Sequence, residues 1–137
     1  MEMTKIILPI HKEYADRIYS GEKTLEIRKT APKAAAPYIV YMYETKNSGG
    51  GGVITGSFIC KGIIKTSAFN GDFEGSFNTY RKEICNCACL SEEAMKIYAG
   101  TKSIIALNVS TPTRFGVARS LSEFDIKQAP QGWMYIR

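Results

Sequence analysis

The first helix pattern constrains the fold most, because it passes directly into a strand pattern across one glycine. Residues 11–20 carry apolar side chains at helical spacing, with Tyr14 four residues before Ile18 and charged residues between them. Gly21 follows, where a helix end favours a residue that can adopt positive φ. Residues 23–29 then alternate between apolar and charged side chains, as a strand with one buried face does. The chain is therefore predicted to be α+β.

Strand patterns dominate the rest of the sequence, and four glycines at 49–52 indicate a hairpin tip. Gly56 and Gly62 stand inside a long strand pattern and favour bulges or bends of the kind that close barrels. The further predicted strands are residues 3–8, 38–43, 53–65, 103–109 and 131–137. The further predicted helices are a short one through Phe77, Tyr80 and Ile84, one from Ser91 to Gly100 with Leu90, Ala94, Ile97 and Tyr98 buried, and a helical turn at Leu121–Phe124. The predicted connections are 31–37, 66–76 and a turn at Thr111–Pro112.

The expected architecture is a mixed β-barrel with two or three short helices, because the first helix lies between two strands. A chain of 137 residues with 45% hydrophobic content suits one domain over 1–137. No apolar run approaches the roughly 18 residues that span a bilayer. The segment before Pro9 is too short and too acidic for a signal peptide, so a cytoplasmic location is expected.

The charge balance favours a polyanionic partner. Lysine and arginine total 18 against 13 acidic residues, which gives a net charge of +5. No long basic run is present, so a nucleic-acid site must be folded rather than a disordered tail.

The four cysteines are predicted to hold no metal and to form no essential disulfide, and no cofactor is indicated. Cys85, Cys87 and Cys89 are separated by single residues. Structural zinc sites space their ligands by two to four residues, and no histidine lies nearby. Reduced thiols are also usual in a cytosolic setting.

The charged face of the 23–29 strand is the candidate site from the residues alone. Alternation places Glu26 beside Arg28. A guanidinium clamps a phosphate or a base edge in a planar fork, and a carboxylate accepts from an exocyclic amine such as cytosine N4. Strict alternation puts Lys23 on the opposite face, so its reach depends on the turn after Gly21. The alternative is an exposed Glu26–Arg28 surface pair, which contributes little to stability.

Three segments resemble the ASCH domain, a branch of the PUA-like superfamily. The segment Ile10–Arg28 is similar to the family's helix and its G-x-K-x-x-E-x-R motif. The segments Cys89–Glu93 and Ala129–Tyr135 are similar to the start of a later helix and to the closing strand. The motif residues here are Gly21, Lys23, Glu26 and Arg28.

The resemblance implies a PUA-like pseudo-barrel whose cleft beside the first helix takes RNA or a nucleobase. Trp133 is either a base-stacking residue or part of the core, and His11 stands where the family often has lysine. The candidate ligand-binding residues are His11, Lys23, Thr24, Glu26, Arg28 and Trp133. The leading hypothesis is therefore binding of RNA, a nucleotide or a modified nucleobase.

An enzymatic function is the first alternative, because some relatives are N(4)-acetylcytidine amidohydrolases or ribonucleases. The amidohydrolases place a threonine nucleophile where this chain has Glu26, and an acid near the position of Ala88. Two of the three parts of that mechanism are thus missing. A hydrolase here would instead use Glu26 as general base and Lys23 to stabilise negative charge. A protein-interaction module is the remaining alternative.

Overall fold

The computed structural model describes residues 3–65, 76–100 and 102–136, the side chains of 76–81 excepted. Eight strands and three helices lie within these residues. The strands are β1 (Thr4–Ile10), β2 (Leu25–Arg28), β3 (Tyr38–Glu44), β4 (Val53–Cys60), β5 (Ile63–Lys65), β6 (Ile105–Asn108), β7 (Ser110–Arg119) and β8 (Met134–Ile136). The helices are α1 (Lys12–Ser20), α2 (Ser76–Ala88) and α3 (Glu92–Ala99). The predicted loop at 66–76 lies outside the described residues, except for its last position.

The strands form two sheets, and the predicted α+β class is confirmed. The larger sheet has the order β7-β4-β3-β1-β8, in which β1 and β3 are parallel and the other pairs are antiparallel. The smaller sheet is antiparallel, with the order β2-β6-β5. Hydrogen bonds between the described strands do not join these sheets into one closed cylinder, so the barrel closure stays a prediction. No helix in the described part of the chain is long and apolar enough to span a membrane.

The smaller sheet lies between two apolar clusters, and this position determines which way β2 points its charged residues. Ile105 and Leu107 of β6 belong to the cluster that also holds α1 and the larger sheet. Ile27 of β2 instead joins the cluster around α2 and α3, and Leu25 packs against it. Because side chains alternate along a strand, Glu26 faces the larger sheet and α1.

The predicted strand 53–65 is two strands, and its two glycines have different roles. The chain leaves the larger sheet after Cys60 and enters the smaller one at Ile63, so Gly62 lies at the crossing between sheets. Gly56 stays within β4, where the pairing with β7 shifts in register between Ile54 and Gly56. An irregularity in strand pairing, of the kind predicted for these glycines, is thus present at the first glycine.

Gly56→Ala is expected to destabilise the protein by about 1–3 kcal/mol, because overpacking a filled space forces backbone or side-chain shifts. A methyl group there would collide with the Thr113 carbonyl oxygen and the Tyr19 hydroxyl. Gly62→Ala is the matched control, since nothing lies within 4 Å of its added carbon. Chemical denaturation measures both variants, and equal losses of stability would contradict the packing described here.

The predicted buried face of α3 is wrong in part. Met95 and Ala99 are its buried residues, whereas Ile97 is 76% exposed and Tyr98 is 38% exposed. The spacing of four between Met95 and Ala99 matches the cluster shared with α2. The helix start itself is confirmed, because the Ser91 hydroxyl accepts the Ala94 amide hydrogen at 3.0 Å.

The predicted turn at residues 111–112 is also wrong, because β7 runs through it. Thr111 adopts a φ of 44°, and the pairing with β4 shifts in register between Ser110 and Thr113 without ending the strand. β7 is an edge strand of the larger sheet, and an edge accommodates Pro112 although proline has no amide hydrogen to donate.

Candidate functional site

The turn after α1 brings Lys23 beneath the helix. Gly21 ends α1 in the left-handed region with a φ of 87°, and the Lys23 amide then donates to the Arg17 carbonyl at 3.0 Å. The Lys23 side chain is only 1% exposed, and its Nζ lies 5.0 Å from the centre of the Tyr14 ring. The turn therefore places Lys23 on the Glu26 side, which strand alternation alone does not predict.

Glu26 is a buried carboxylate between two cations. Its side chain lies 3.3 Å from the Lys23 ammonium through Oε1. Its Oε2 accepts from the Arg28 Nε at 2.9 Å and lies 2.8 Å from Nη2. With Glu26 only 5% exposed, the pair is not the solvated surface pair considered from the sequence. A buried carboxylate is costly unless it is paired, so both cations are needed to hold it in place.

Both cations are fixed by backbone carbonyl groups. Arg28 donates from Nη2 to the Pro9 carbonyl on β1 at 2.6 Å. Lys23 donates to the Ala88 carbonyl at the end of α2. The resemblance predicts that Ala88 stands near the acid of the amidohydrolases, and in this structure the carbonyl oxygen of Ala88 accepts from the lysine. The three charges are thus preorganised rather than mobile.

The end of α2 also holds the segment that precedes β2. The Thr24 amide donates to the Cys87 carbonyl at 2.7 Å, and its own carbonyl accepts from Val109 at 3.0 Å. The Cys89 thiol donates a hydrogen bond to the Glu22 carbonyl oxygen at 3.5 Å. Thr24 is therefore a backbone anchor, and it does not line the cavity described next.

A cavity of about 780 Å³, called here the first cavity, opens beside α1 and has Glu26 and Arg28 in its lining. Its walls come from the end of β1, the start of α1, β2, α3 and the loops at 45–47 and 129–131. Its polar and aromatic lining includes His11, Tyr14, Glu26, Arg28, Lys46, Asn47, Tyr98 and Gln131.

The loop that carries Lys46 and Asn47 is attached to the start of α1. The Thr45 amide donates to the Ile10 carbonyl at 3.1 Å, and the Lys12 amide donates to the Ser48 hydroxyl at 3.0 Å. The hairpin tip was predicted from its glycines, but a glycine run does not indicate that the preceding residues fold back over a cavity.

Glu44, immediately before this loop, is a second buried carboxylate, and no sequence pattern singled it out. It is 3% exposed and accepts from the Thr55 hydroxyl at 2.7 Å. The Thr55 hydroxyl also pairs with the Tyr19 hydroxyl at 2.7 Å. These contacts connect β3, β4 and α1 beside the first cavity and keep its wall in position.

Three predicted ligand residues, His11, Glu26 and Arg28, line the first cavity. Within the described residues Lys23 lies behind Glu26 and outside the cavity wall. Trp133 lies elsewhere, packed against the apolar cluster of α1 and the larger sheet, with its Nε1 donating to the Thr30 hydroxyl at 2.9 Å.

Two tyrosines in the cavity wall were not predicted as ligand residues. Tyr14 comes from α1 and Tyr98 from α3. Burial, and then the carboxylates of Glu13 and Glu26, raise the pKa of Tyr14, and burial raises the pKa of Tyr98. Both phenols therefore stay neutral donors at neutral pH. The spacing of three between His11 and Tyr14 was the available signal, because it places them on one helix face.

Metal binding has no support in the described residues, where no group of three or more histidine, cysteine, aspartate or glutamate side chains is placed to hold an ion. Cys60 lies on β4, and the other three cysteines lie at the end of α2 and just beyond it. The absence of a metal stays a prediction.

The ASCH domain model matches residues 8–108, which include the end of β1 and all of α1, β2 and α3. The ASCH protein of Zymomonas mobilis has a similar crystal structure, with a TM-score of 0.76 at 22% identity over 97% of this chain and 87% of that one. Crystal structures of its serine-to-alanine and tyrosine-to-phenylalanine variants match at 22% identity over 97% of this chain, with TM-scores of 0.76 and 0.75 over 88% and 90% of theirs. At this identity the likeness shows the fold alone. No curated protein matches the sequence.

Proposed function

Because the chain belongs to the ASCH domain family, whose members are generally associated with RNA binding, we propose that the first cavity binds a base of RNA or of a nucleoside. In this proposal Glu26 accepts a hydrogen bond from an amine of the base. Arg28 holds Glu26 in place and presents its remaining N–H groups to the ligand.

The position of Glu26 carries the proposal. Each carboxylate oxygen has two acceptor sites, and within the described residues Oε1 has one polar contact, with the Lys23 ammonium at 3.3 Å. An acceptor site thus remains on a carboxylate that lines the cavity and is already fixed by two cations. Cytosine N4 is a donor of the kind that glutamate recognises in nucleic acids.

The shape and lining of the first cavity also support a base. Its volume of about 780 Å³ lies within the range of small-ligand sites. Tyr14 and Tyr98 offer aromatic surface, and base stacking on such side chains contributes about 1–3 kcal/mol. Lys46 is an exposed cation in the wall, suited to a phosphate.

A hydrolase is the second candidate, favoured by the 3.3 Å contact between Lys23 and Glu26. In that case Glu26 would be the general base. One observation favours binding: Lys23 is too deeply buried to touch a reacting group directly. Because Lys23 is so deeply buried, it also cannot contact a phosphate directly, although its positive charge favours such a contact.

Arg28→Lys is expected to weaken binding about as much as Arg28→Ala, roughly fivefold to tenfold. Lysine lacks the planar fork that holds Glu26 and the Pro9 carbonyl while leaving N–H groups for a ligand. Titration with the four free nucleosides and with single-stranded RNA measures the affinities. A product assay on the same mixtures tests for hydrolysis.

Arg17→Lys is the control, because Arg17 lies on α1 outside the wall of the first cavity. The proposal fails if wild type binds neither nucleosides nor RNA, or if the Arg28 variants bind as tightly as wild type. Conversion of a nucleoside or RNA by wild type would promote the hydrolase.

A further inference from the structure

A second cavity, of about 650 Å³, lies on the face of the larger sheet that α1 does not cover. On β1, Ile6 and Leu8 pack with α1, so the alternating residues Lys5 and Ile7 point to the other face. Lys5 lines this cavity together with Tyr41 of β3 and Arg119 at the end of β7. The remaining wall consists of residues 123–126 and 134–136.

The two cavities are neighbours on the same strands. Pro9 and Tyr43 line the first cavity, while Lys5 and Tyr41 line the second. Lys5 and Pro9 are four residues apart on β1, which is about 13 Å at the rise of an extended strand. Residues 123–126 border the second cavity, and residues 129–131, a little further along the chain, border the first. A ligand with a repeating unit can therefore occupy both.

The second cavity presents a cation and a carboxylate that nothing in the described residues engages. Within this part of the chain neither the Lys5 ammonium nor the Asp125 carboxylate has a hydrogen bond or an ion pair. Glu123 differs, because it accepts from the Ser120 amide at 2.7 Å and lies 3.5 Å from the Arg119 Nε. The Arg119 guanidinium lies over the Phe124 ring at 4.5 Å and keeps its outer N–H groups for a ligand.

We propose that the second cavity binds a second nucleotide of the RNA strand whose base occupies the first cavity. Lys5 and Arg119 would contact its phosphate, and Asp125 would accept from an amine of its base. A carboxylate beside two cations favours a nucleotide, which carries both an anion and donor groups, over a simple polyanion. This inference rests on the proposed function, and it makes a single-stranded oligonucleotide a better ligand than a free nucleoside.

The test compares an eight-nucleotide single-stranded RNA with free cytidine, using wild type, Lys5→Ala and the control Lys61→Ala. Lys61 is an exposed lysine between β4 and β5, outside both cavities. We expect wild type to bind the oligonucleotide more tightly than cytidine. Lys5→Ala should lower oligonucleotide affinity about threefold to tenfold and reduce the slope of log affinity against log salt by about 0.7. Cytidine affinity should not change.

The inference is overturned if Lys5→Ala and Lys61→Ala have equal effects on the oligonucleotide, or if Lys5→Ala weakens cytidine equally. If cytidine binds and Lys5 has no effect, the second site is refuted while the proposed function stands. If the oligonucleotide depends on Lys5 but not on Glu26, the second site stands while the proposed function fails.

Discussion

Lys23→Met is expected to lower the free energy of unfolding by about 3 kcal/mol, since removing one member of a buried ion pair leaves the other uncompensated. Methionine keeps most of the side-chain volume, so the loss reports on charge rather than on a cavity. Glu26 would keep its ion pair with Arg28. The expected loss of stability is therefore at the lower end of the range for broken buried ion pairs. The Ala88 carbonyl would lose its donor as well. Chemical denaturation measures the change.

Lys12→Met is the matched control. Lys12 also forms an ion pair with an acid on its own segment, Asp16, at 2.7 Å, but both side chains are more than two-fifths exposed. Its loss should change stability little, because solvent screens such pairs. A double variant, Lys23→Met with Glu26→Gln, should be less destabilised than the sum of the single variants. Additive losses, or equal losses for Lys12 and Lys23, would contradict a buried charge network.

Glu26→Gln is expected to change which base is bound. Loss of the carboxylate should weaken the binding free energy of the amine-bearing base by about 1–3 kcal/mol, or roughly 5-fold to 150-fold in affinity. The glutamine amide can donate as well as accept, so it suits a carbonyl such as uracil O4 better than the carboxylate does. Titration of both proteins with cytidine and uridine measures the change in preference.

Glu22→Gln is the control, because Glu22 is an exposed acid in the same turn and outside the first cavity. It removes the same charge without touching the ligand. A uniform loss for both nucleosides with Glu26→Gln would indicate damaged folding rather than base recognition, and denaturation of the variant would identify that case.

The helix, the glycine and the strand that carry the site were predictable because their signals are local. The spacing of Tyr14 and Ile18, the positive φ required at Gly21, and the alternation through Glu26 and Arg28 each depend on neighbours within a few residues. The capped start of α3 at Ser91 was predictable for the same reason.

The depth of Lys23 was not predictable, because it depends on distant partners. Its ammonium is held by Glu26, by the Tyr14 ring and by the carbonyl of Ala88, which lies 65 residues later in the chain. A motif shows which side chains occur at which spacing. It does not show how deeply each side chain lies. Here Lys23 lies behind Glu26 and supports it, while Arg28 faces the cavity.

The remaining errors also come from tertiary contacts. Ile97 and Tyr98 have apolar character at helical spacing, but Met95 and Ala99 are the residues that face α2. β7 was missed because ten largely exposed residues, including Pro112, give no alternating pattern. Pairing with β4 makes this segment a strand in spite of its sequence.

The most direct test of the proposed base-binding site is a nuclear magnetic resonance titration of the ¹⁵N-labelled protein with cytidine and with a short single-stranded RNA. We predict that the amide shifts changed by cytidine cluster at His11, Glu26, Arg28, Ala94 and Tyr98, around the first cavity, and that with Glu26→Gln they require a higher cytidine concentration. Shifts that cluster elsewhere, or no shifts with either ligand, would contradict the account.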